Sequence, residues 1–339
     1  MSEPILIWGA GAIGGTIGAY LARNGHDVLL VDTVAEHVAA INAHGLSIEG
    51  PIETFTQPVA ATTPEQVRGQ YGKILLCVKA HHTEGAARQL APHLAPGGYV
   101  ASFQNGLNEF VIGAVIGLPN VIGAFINFGA DYLEPGRILF GGRGACVLGE
   151  LDGAISERVT ALHELLTPFE PNAIVTDNIL GFLWGKLGYG ALLFATALTD
   201  DAIAEVLDAP ECRAVLTRVA REVMAVAAAK RIAPQGFNGF DPAAFAPGGS
   251  AASVDASMAA MVAHNRKSAK SHSGIWRDLA VRKRRTEIDA QIGPVVSEGA
   301  ALGVPTPVNA RLIAMIHEIE DGKRKLDRAN LADLARAES

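Results

Sequence analysis

The start of the chain constrains its fold more than any other stretch. The apolar run Ile5-Leu6-Ile7-Trp8 ends in Gly9-Ala10-Gly11-Ala12-Ile13-Gly14, a helical pattern follows, and a second apolar run, Val28-Leu29-Leu30-Val31, ends at Asp32. Strand, glycine turn, helix and a second strand ending in an acid is the order of a dinucleotide-binding unit. Gly9 permits the tight turn out of the strand, Gly11 lets backbone amides approach a pyrophosphate, and Gly14 lets the helix pack closely on the sheet. The helix N-terminus then faces the phosphates, which makes Gly9, Ala10, Gly11, Ala12, Ile13 and Gly14 the candidate cofactor-binding loop.

Asp32 adds a preference. A carboxylate at the end of the second strand accepts hydrogen bonds from an adenosine ribose and repels a 2'-phosphate. The residues after it, Thr33, Val34, Ala35, Glu36 and His37, bring no arginine to hold that phosphate. NAD(H) is therefore favoured over NADP(H). Asp32 also reads as a cap for a helix starting near Val34, and the two roles are compatible.

With 339 residues and 49% hydrophobic content the chain has material for two domains. A net charge of −7 argues against a nucleic-acid partner. The basic run Arg282-Lys283-Arg284-Arg285 is followed at once by Glu287 and Asp289, and reads as a solvated or partly buried helix turn. Cys77, Cys146 and Cys212 are widely spaced, which suggests neither a disulfide framework nor a metal site and fits a reducing cytoplasm. The apolar start lacks a basic leader segment, so it reads as structure rather than a secretory signal. The apolar stretch from Leu180 to Leu198 is interrupted by Trp184, Gly185, Lys186, Gly188 and Gly190, and reads as a buried central helix, with no membrane partner.

Up to about Asp177 short β-branched runs alternate with helical stretches, as in a mostly parallel sheet covered on both faces. Strands are expected near 4–8, 27–31, 73–78, 97–102, 120–127, 138–141, 145–148 and 172–176. Helices are expected near 12–24, 34–44, 83–93, 106–115 and 154–169. The later strands, joined at Glu134-Pro135-Gly136 and Gly141-Gly142, look like an antiparallel extension of the sheet. Beyond Asp177 the pattern is helical, near 179–198, 209–231, 252–267, 284–302 and 307–322. The expected fold is α/β, with a Rossmann-type doubly wound sheet over residues 1–177 and an all-helical domain over 178–339. Residues 233–250, rich in Pro, Gly and Phe, read as a connector, with a mobile flap as the alternative.

Three groups stand out as chemistry. Lys79 ends the strand Ile74–Val78, and Gln104-Asn105-Gly106 ends the next one, so both reach the carboxyl edge where open α/β sheets bind ligands. Lys186 interrupts an apolar helix, where an ammonium needs a carboxylate, a ligand or a path to water. Glu287 is the candidate partner, and a lysine in such a cleft can protonate a developing alkoxide.

Taken in order, Gly9 to Gly14, Val78-Lys79-Ala80, Gln104-Asn105-Gly106-Leu107, the segment from Pro135-Gly136 to Gly149-Glu150, Leu183-Trp184-Gly185-Lys186-Leu187 and Arg285-Thr286-Glu287-Ile288-Asp289 resemble ketopantoate reductase and its relatives. The resemblance covers nearly the whole chain. It implies reduction of a 2-oxo acid to a 2-hydroxy acid, 2-dehydropantoate to pantoate in the type reaction, by a nicotinamide cofactor bound to the N-terminal domain. NADP(H) is the common cofactor of that family. The resemblance makes Lys186 the proton donor and Glu287 its catalytic companion at the substrate, and puts Lys79 and Asn105 near nicotinamide and substrate. It also implies a homodimer formed through the helical domain.

The departures from the family pattern concern substrate. Gly190 and Phe194 stand where ketopantoate-reducing members carry asparagines, one and two turns after the lysine. A serine-containing segment upstream of the glutamate appears as His272-Ser273-Gly274-Ile275-Trp276, with spacing to Glu287 one residue longer. Gly190, Phe194, His272, Ser273 and Trp276 are therefore candidate substrate-binding residues, with His272 as a helix cap or solvent-facing group the alternative. An NAD-dependent D-2-hydroxyacid dehydrogenase of the mandelate type is the second enzymatic reading, and a non-catalytic NAD(H) sensor the third.

Overall fold

The computed structural model describes residues 4–267 and 271–337. The chain divides into two compact units, Met1–Ile179 and Leu180–Ser339.

The first unit carries the strands β1 (Ile5–Trp8), β2 (Val28–Val31), β3 (Leu46–Glu49), β4 (Phe55–Gln57), β5 (Ala60–Thr62), β6 (Tyr71–Leu76), β7 (Leu94–Ser102), β8 (Val121–Ile126), β9 (Gly129–Glu134), β10 (Arg137–Gly142), β11 (Cys146–Glu150) and β12 (Ile174–Val175). Its helices are α1 (Ala12–Arg23), α2 (Ala35–His44), α3 (Thr83–Leu90), α4 (Asn108–Ile116) and α5 (Glu157–Leu166). Eight strands form one sheet in the order β12-β11-β8-β7-β6-β1-β2-β5. The strands from β8 to β5 in that order are parallel, and β11 runs antiparallel to β8.

Strand β1 shows why its sequence is apolar throughout. Ile5 and Ile7 pack with Ile17 and Leu21 of α1, whereas Leu6 and Trp8 pack with Leu90 of α3 and Ile112 of α4. Successive side chains of a strand point to opposite faces, so a strand covered on both faces needs apolar residues at every position.

The hairpin β9-β10 departs from expectation. It does not extend the main sheet but joins a second sheet of order β4-β3-β10-β9, and only β11 with its partner β12 continues the main one antiparallel to β8. The cause is packing: Ile138 and Phe140 are fully buried in the core shared with α1. A Cβ on Gly15 of α1 would stand 2.4 Å from Ile138 Cδ1. The hairpin thus covers the outer side of α1. Strands β3, β4, β5 and β9 are additions to the expected set: β4 and β5 have three residues each, β3 alternates buried and half-buried positions, and β9 has no buried residue, so none carries the continuous apolar run that marks the parallel strands.

The helical unit contains most of α6 (Ile179–Thr196), then α7 (Ile203–Asp208), α8 (Arg213–Ala229), α9 (Pro242–Phe245), α10 (Ala251–Lys267), α11 (Gly274–Trp276), α12 (Ile288–Gln291), α13 (Gly293–Leu302), α14 (Pro307–Glu320) and α15 (Ala329–Leu334). Helix α6 is long and apolar enough to cross a membrane by length and composition alone, yet 72% of that window is buried within the fold. The segment 233–240 is a docked connector: Gln235 N donates to Gly181 O at 2.9 Å, and a Cβ on Gly185 would stand 2.0 Å from Gln235 O.

The helix expected over 284–302 is broken. Residues 282–286 are irregular, α12 is a single turn, and Pro294 in the first turn of α13 has no amide to continue the ladder. The three arginines of the basic run are paired within the chain. Arg282 and Arg284 both donate to Asp278 Oδ1, at 3.0 and 2.9 Å, and Arg285 donates to Glu320 and Asp321.

Candidate functional site

In the sheet unit the chain leaves β1 toward β2 on one side and later returns as β6 on the other. The crevice at the carboxyl ends of β1 and β6 is therefore the topological switch point, where open α/β sheets bind ligands. Gly9 turns there with φ of +100°, and a Cβ on it would stand 2.8 Å from Val78 N. A side chain would keep the loops after β1 and β6 apart. At Gly14 a Cβ would stand 2.1 Å from Gly9 O, so that glycine lets α1 seat on its own loop.

Gly11 is different in kind. Its φ of −67° is ordinary, and a Cβ on it would meet nothing within 4 Å. No internal packing requires glycine here, and the space beside it is open. Helix α1 also starts with no side-chain cap and no acid in its first turn, which leaves the amides around Ala12 and Ile13 to water or an anion. The loop thus fits a dinucleotide pyrophosphate. Ala10 corrects the sequence reading: its amide is spent inside the protein, on Asp32 Oδ2 at 3.0 Å and Val31 O at 3.1 Å.

Asp32 does more than the sequence suggested. One carboxylate oxygen takes the Ala10 amide and the other takes Val34 N at 3.0 Å, so it fastens the glycine loop to the start of α2. It also lines a cleft of about 300 Å³ together with Gly9, Val78, His81 and His82. Among the described residues lining that cleft, none is lysine or arginine.

Lys79 follows β6 and Asn105, which is exposed, follows β7. Their two loops are joined by Gln104, which is expected at the ligand edge beside Asn105 but is buried and turned inward, together with Thr83 and Asn108, which no sequence motif marks. Buried Gln104 donates through Nε2 to Val78 O at 2.9 Å and to the Thr83 hydroxyl at 2.7 Å. That hydroxyl lies 2.8 Å from both Ala80 O and Asn108 Oδ1, and Asn108 Nδ2 donates to Asn105 O at 2.6 Å. Buried His37 likewise braces the glycine loop, with Nε2 2.9 Å from Ala10 O and Nδ1 accepting from Gly136 N at 2.9 Å. Those partners assign the imidazole as neutral with its proton on Nε2. Such braces join residues far apart in the chain, and no local pattern announces them.

In the helical unit, α6 buries every residue from 181 to 194 except Phe182, Lys186, Gly190 and Leu193, which are half-buried. Steps of four, four and three trace one helical face. Lys186 and Gly190 share it. Phe194 is fully buried, because eight residues past Lys186 the helix has turned about 80° toward the core. It is a core residue in this arrangement, not a ligand contact.

Gly190 has a neighbour that sequence spacing did not disclose. A Cβ there would stand 3.7 Å from Gln291 Oε1, its one contact within 4 Å. Gln291 closes α12, whose preceding residue is half-buried Glu287, and Gln291 N donates to Glu287 O at 3.0 Å. The turn carrying Glu287 and Gln291 therefore lies beside the Lys186 face of α6.

The segment 272–276 gathers elsewhere. Trp276 Nε1 donates to Asp200 Oδ1 at 3.0 Å, His272 Nε2 donates to Asp200 O at 3.2 Å, and the two rings lie with centroids 4.1 Å apart. Ser273, rather than His272, is the cap, accepting from Trp276 N at 3.1 Å. Asp200 lies past the end of α6, and that end is roughly 15 Å along the axis from Lys186. These three residues are thus engaged with one another, Asp200 and a helix start. Between this segment and Glu287 the chain makes a π-helical turn over Arg277–Val281.

Comparison with known proteins agrees with this architecture. The family description ketopantoate reductase PanE/ApbA matches residues 5–153, and its C-terminal counterpart matches residues 178–320. A 2-dehydropantoate 2-reductase of Archaeoglobus fulgidus is 28% identical over 322 residues, 94% of this chain and 99% of the relative. One from Pyrococcus horikoshii is 29% identical, over 92% and 96% of the two chains. Among solved structures, a PanE/ApbA family ketopantoate reductase from Ralstonia eutropha superposes with a TM-score of 0.80 at 29% identity, covering 94% of this chain and 99% of that one. A D-mandelate dehydrogenase shares the fold at a TM-score of 0.81 and 24% identity, covering 95% and 100%. This chain belongs to the ketopantoate reductase PanE/ApbA family and is an oxidoreductase acting on CH–OH groups.

Proposed function

We propose that the protein reduces a 2-oxo acid of the 2-dehydropantoate type with NADH, the sheet unit (residues 1–177 in the sequence division) holding the cofactor and the helical unit (178–339) holding the substrate. The observation that carries the reading is Lys186 on the open face of an otherwise apolar, buried helix, with the turn of Glu287 and Gln291 alongside. When bound, reduced nicotinamide supplies the hydride for the carbonyl carbon. Lys186 gives a proton to the carbonyl oxygen as negative charge develops there, Glu287 assists at the substrate, and Lys79 and Asn105 border the cofactor. Gln291 offers an amide to a distal hydroxyl of the substrate, in the place that Gly190 leaves open.

Asp32, and the absence of lysine and arginine among the described lining residues of its cleft, support NADH over NADPH. Replacing Lys186 by alanine is expected to cut turnover by about a hundred- to ten-thousand-fold with NADH affinity nearly unchanged; unchanged turnover removes Lys186 from the reaction. A second reading, a mandelate-type dehydrogenase, is favoured by Gly190, which adds room and no polar group. NADH and NADPH oxidation measured with ketopantoate and phenylglyoxylate side by side separates the two. Preference for phenylglyoxylate overturns the first, and no turnover of any 2-oxo acid despite tight NADH binding overturns both.

A further inference from the structure

The loop that carries Glu287 is tied down on both sides of that residue, and the tether comes from one place, the last turn of α14. Glu320, whose side chain is 1% exposed, accepts from Thr286 N at 2.7 Å and the Thr286 hydroxyl at 2.8 Å through Oε1. Its Oε2 accepts from Arg285 Nη1 at 3.0 Å and His317 Nδ1 at 2.8 Å. The other ring nitrogen of His317, Nε2, donates to Asp289 Oδ1 at 2.9 Å. Arg285 and Thr286 before Glu287, and Asp289 after it, are thus all held by α14.

Helix physics alone does not place a carboxylate there. Glu320 is the final residue of α14, where the helix dipole disfavours an anion, and burial adds a desolvation cost. Four donors offset that cost, and every one of them belongs either to the Glu287 loop or to His317. A site that departs from a local rule while holding one particular loop points to a role in placing that loop. We propose that Glu320 and His317 are positioning residues for Glu287, fixing the loop from Arg285 to Asp289 so that its carboxylate is presented at the Lys186 face of α6. This inference rests on the reading of Glu287 as a residue of the substrate site.

The tether is charge-dependent. For both ring nitrogens of His317 to donate to carboxylates, the imidazole must carry both protons. The charged groups within its reach are Glu320 on its own helix, Asp289 on α12, Arg285, whose Nη1 stands 3.5 Å from Nδ1, and Asp321 beyond α14, which Arg285 holds. Burial pulls the His317 pKa down, but the hydrogen bonds to Glu320 and Asp289 outweigh it and leave the pKa above the ordinary histidine value. As His317 loses its charge at higher pH, one of its two tethers is lost.

The test compares Glu287→Gln, Glu320→Gln and His317→Gln in the full chain, reading kcat, KM and NADH affinity across pH, with thermal melting to confirm folding. The expected result is that Glu287→Gln lowers kcat strongly. Glu320→Gln should lower it at least about tenfold, the scale on which misplaced catalytic groups act, with NADH affinity unchanged. His317→Gln should show a loss that is largest where the wild-type imidazole is charged and that shrinks as pH rises through its transition. If Glu287→Gln is impaired while both tether variants keep wild-type kcat, the tether has no positioning role and the reading of Glu287 stands. If Glu287→Gln turns over normally, that reading fails and the proposal falls with it. Should Glu320→Gln fail to fold, His317→Gln decides alone, and a loss equal at every pH overturns the charge-dependent tether.

Discussion

The sheet unit and the helical unit build their candidate residues in opposite ways. In the sheet unit the residues sit at the ends of neighbouring parallel strands, so order along the chain translates directly into place at the carboxyl edge: Gly9 to Gly14, Asp32, Lys79 and Asn105 all arrive there. In the helical unit the residues sit on helices of different length and on loops, and equal-looking candidates fare differently. Lys186 and Gly190 share an open face, Phe194 is in the core, and His272, Ser273 and Trp276 gather beyond the far end of α6. Strand periodicity leaves two faces to choose between, whereas a helix presents a new direction every residue and a short loop presents none that sequence fixes.

The contrast breaks most sharply at Gly190 and Phe194, which the sequence treats as a pair. Phe194→Asn removes a fully buried ring and buries an amide, so it should cost about 3–5 kcal/mol of stability in denaturant unfolding. A variant within about 1 kcal/mol of wild type would place residue 194 on an accessible surface after all.

The glycine loop offers a second separation, between packing and ligand. Gly14→Ala sets a Cβ against Gly9 O and should lose about 1–3 kcal/mol or more through overpacking. Gly11→Ala meets open space; its unfolding should match wild type while NADH binding weakens about tenfold, or about 1.4 kcal/mol. If Gly11→Ala binds NADH normally, the pyrophosphate does not approach that glycine.

Specificity should respond more gently. Gly190→Asn restores a polar group on the Lys186 face with only Gln291 nearby, and should raise the kcat/KM ratio of ketopantoate to phenylglyoxylate by about tenfold. Gln291→Ala should move that ratio the other way. Equal ratios in all three proteins would exclude both positions from substrate discrimination.

The smallest expected effect is on stability against pH. His317 has a raised folded pKa, with the bonds to Glu320 and Asp289 outweighing burial. Its stabilisation is therefore complete below 6.5, its ordinary value, and is lost as pH rises through the folded one. Glu320 is the reverse: burial raises its pKa, but Thr286 and His317 lower it further, so its contribution is present above 4.5 and is lost as pH falls through its folded value. The His317→Gln melting deficit should be under about 1 kcal/mol, given partial solvent screening, and should vanish at high pH. A deficit that grew with pH would reverse the assigned sign.

Much of this was legible early because it is local. The glycine turn, the acid closing β2 and the apolar runs of the parallel strands are set by backbone sterics and two-sided burial, which act over a few residues and leave their mark in composition and spacing. What the chain alone determined is therefore the parallel sheet, the residues gathered at its carboxyl edge, the helical second half and family membership. What only the tertiary structure decided is the set of long-range contacts: the second sheet over α1, the broken helix before Ile288, the Gln104 and His37 braces, Gln291 beside Gly190, and the α14 tether on the Glu287 loop. Those depend on which buried polar groups find partners across tens to hundreds of residues, a choice made by the packed fold because an unpaired group is costly only once it is buried.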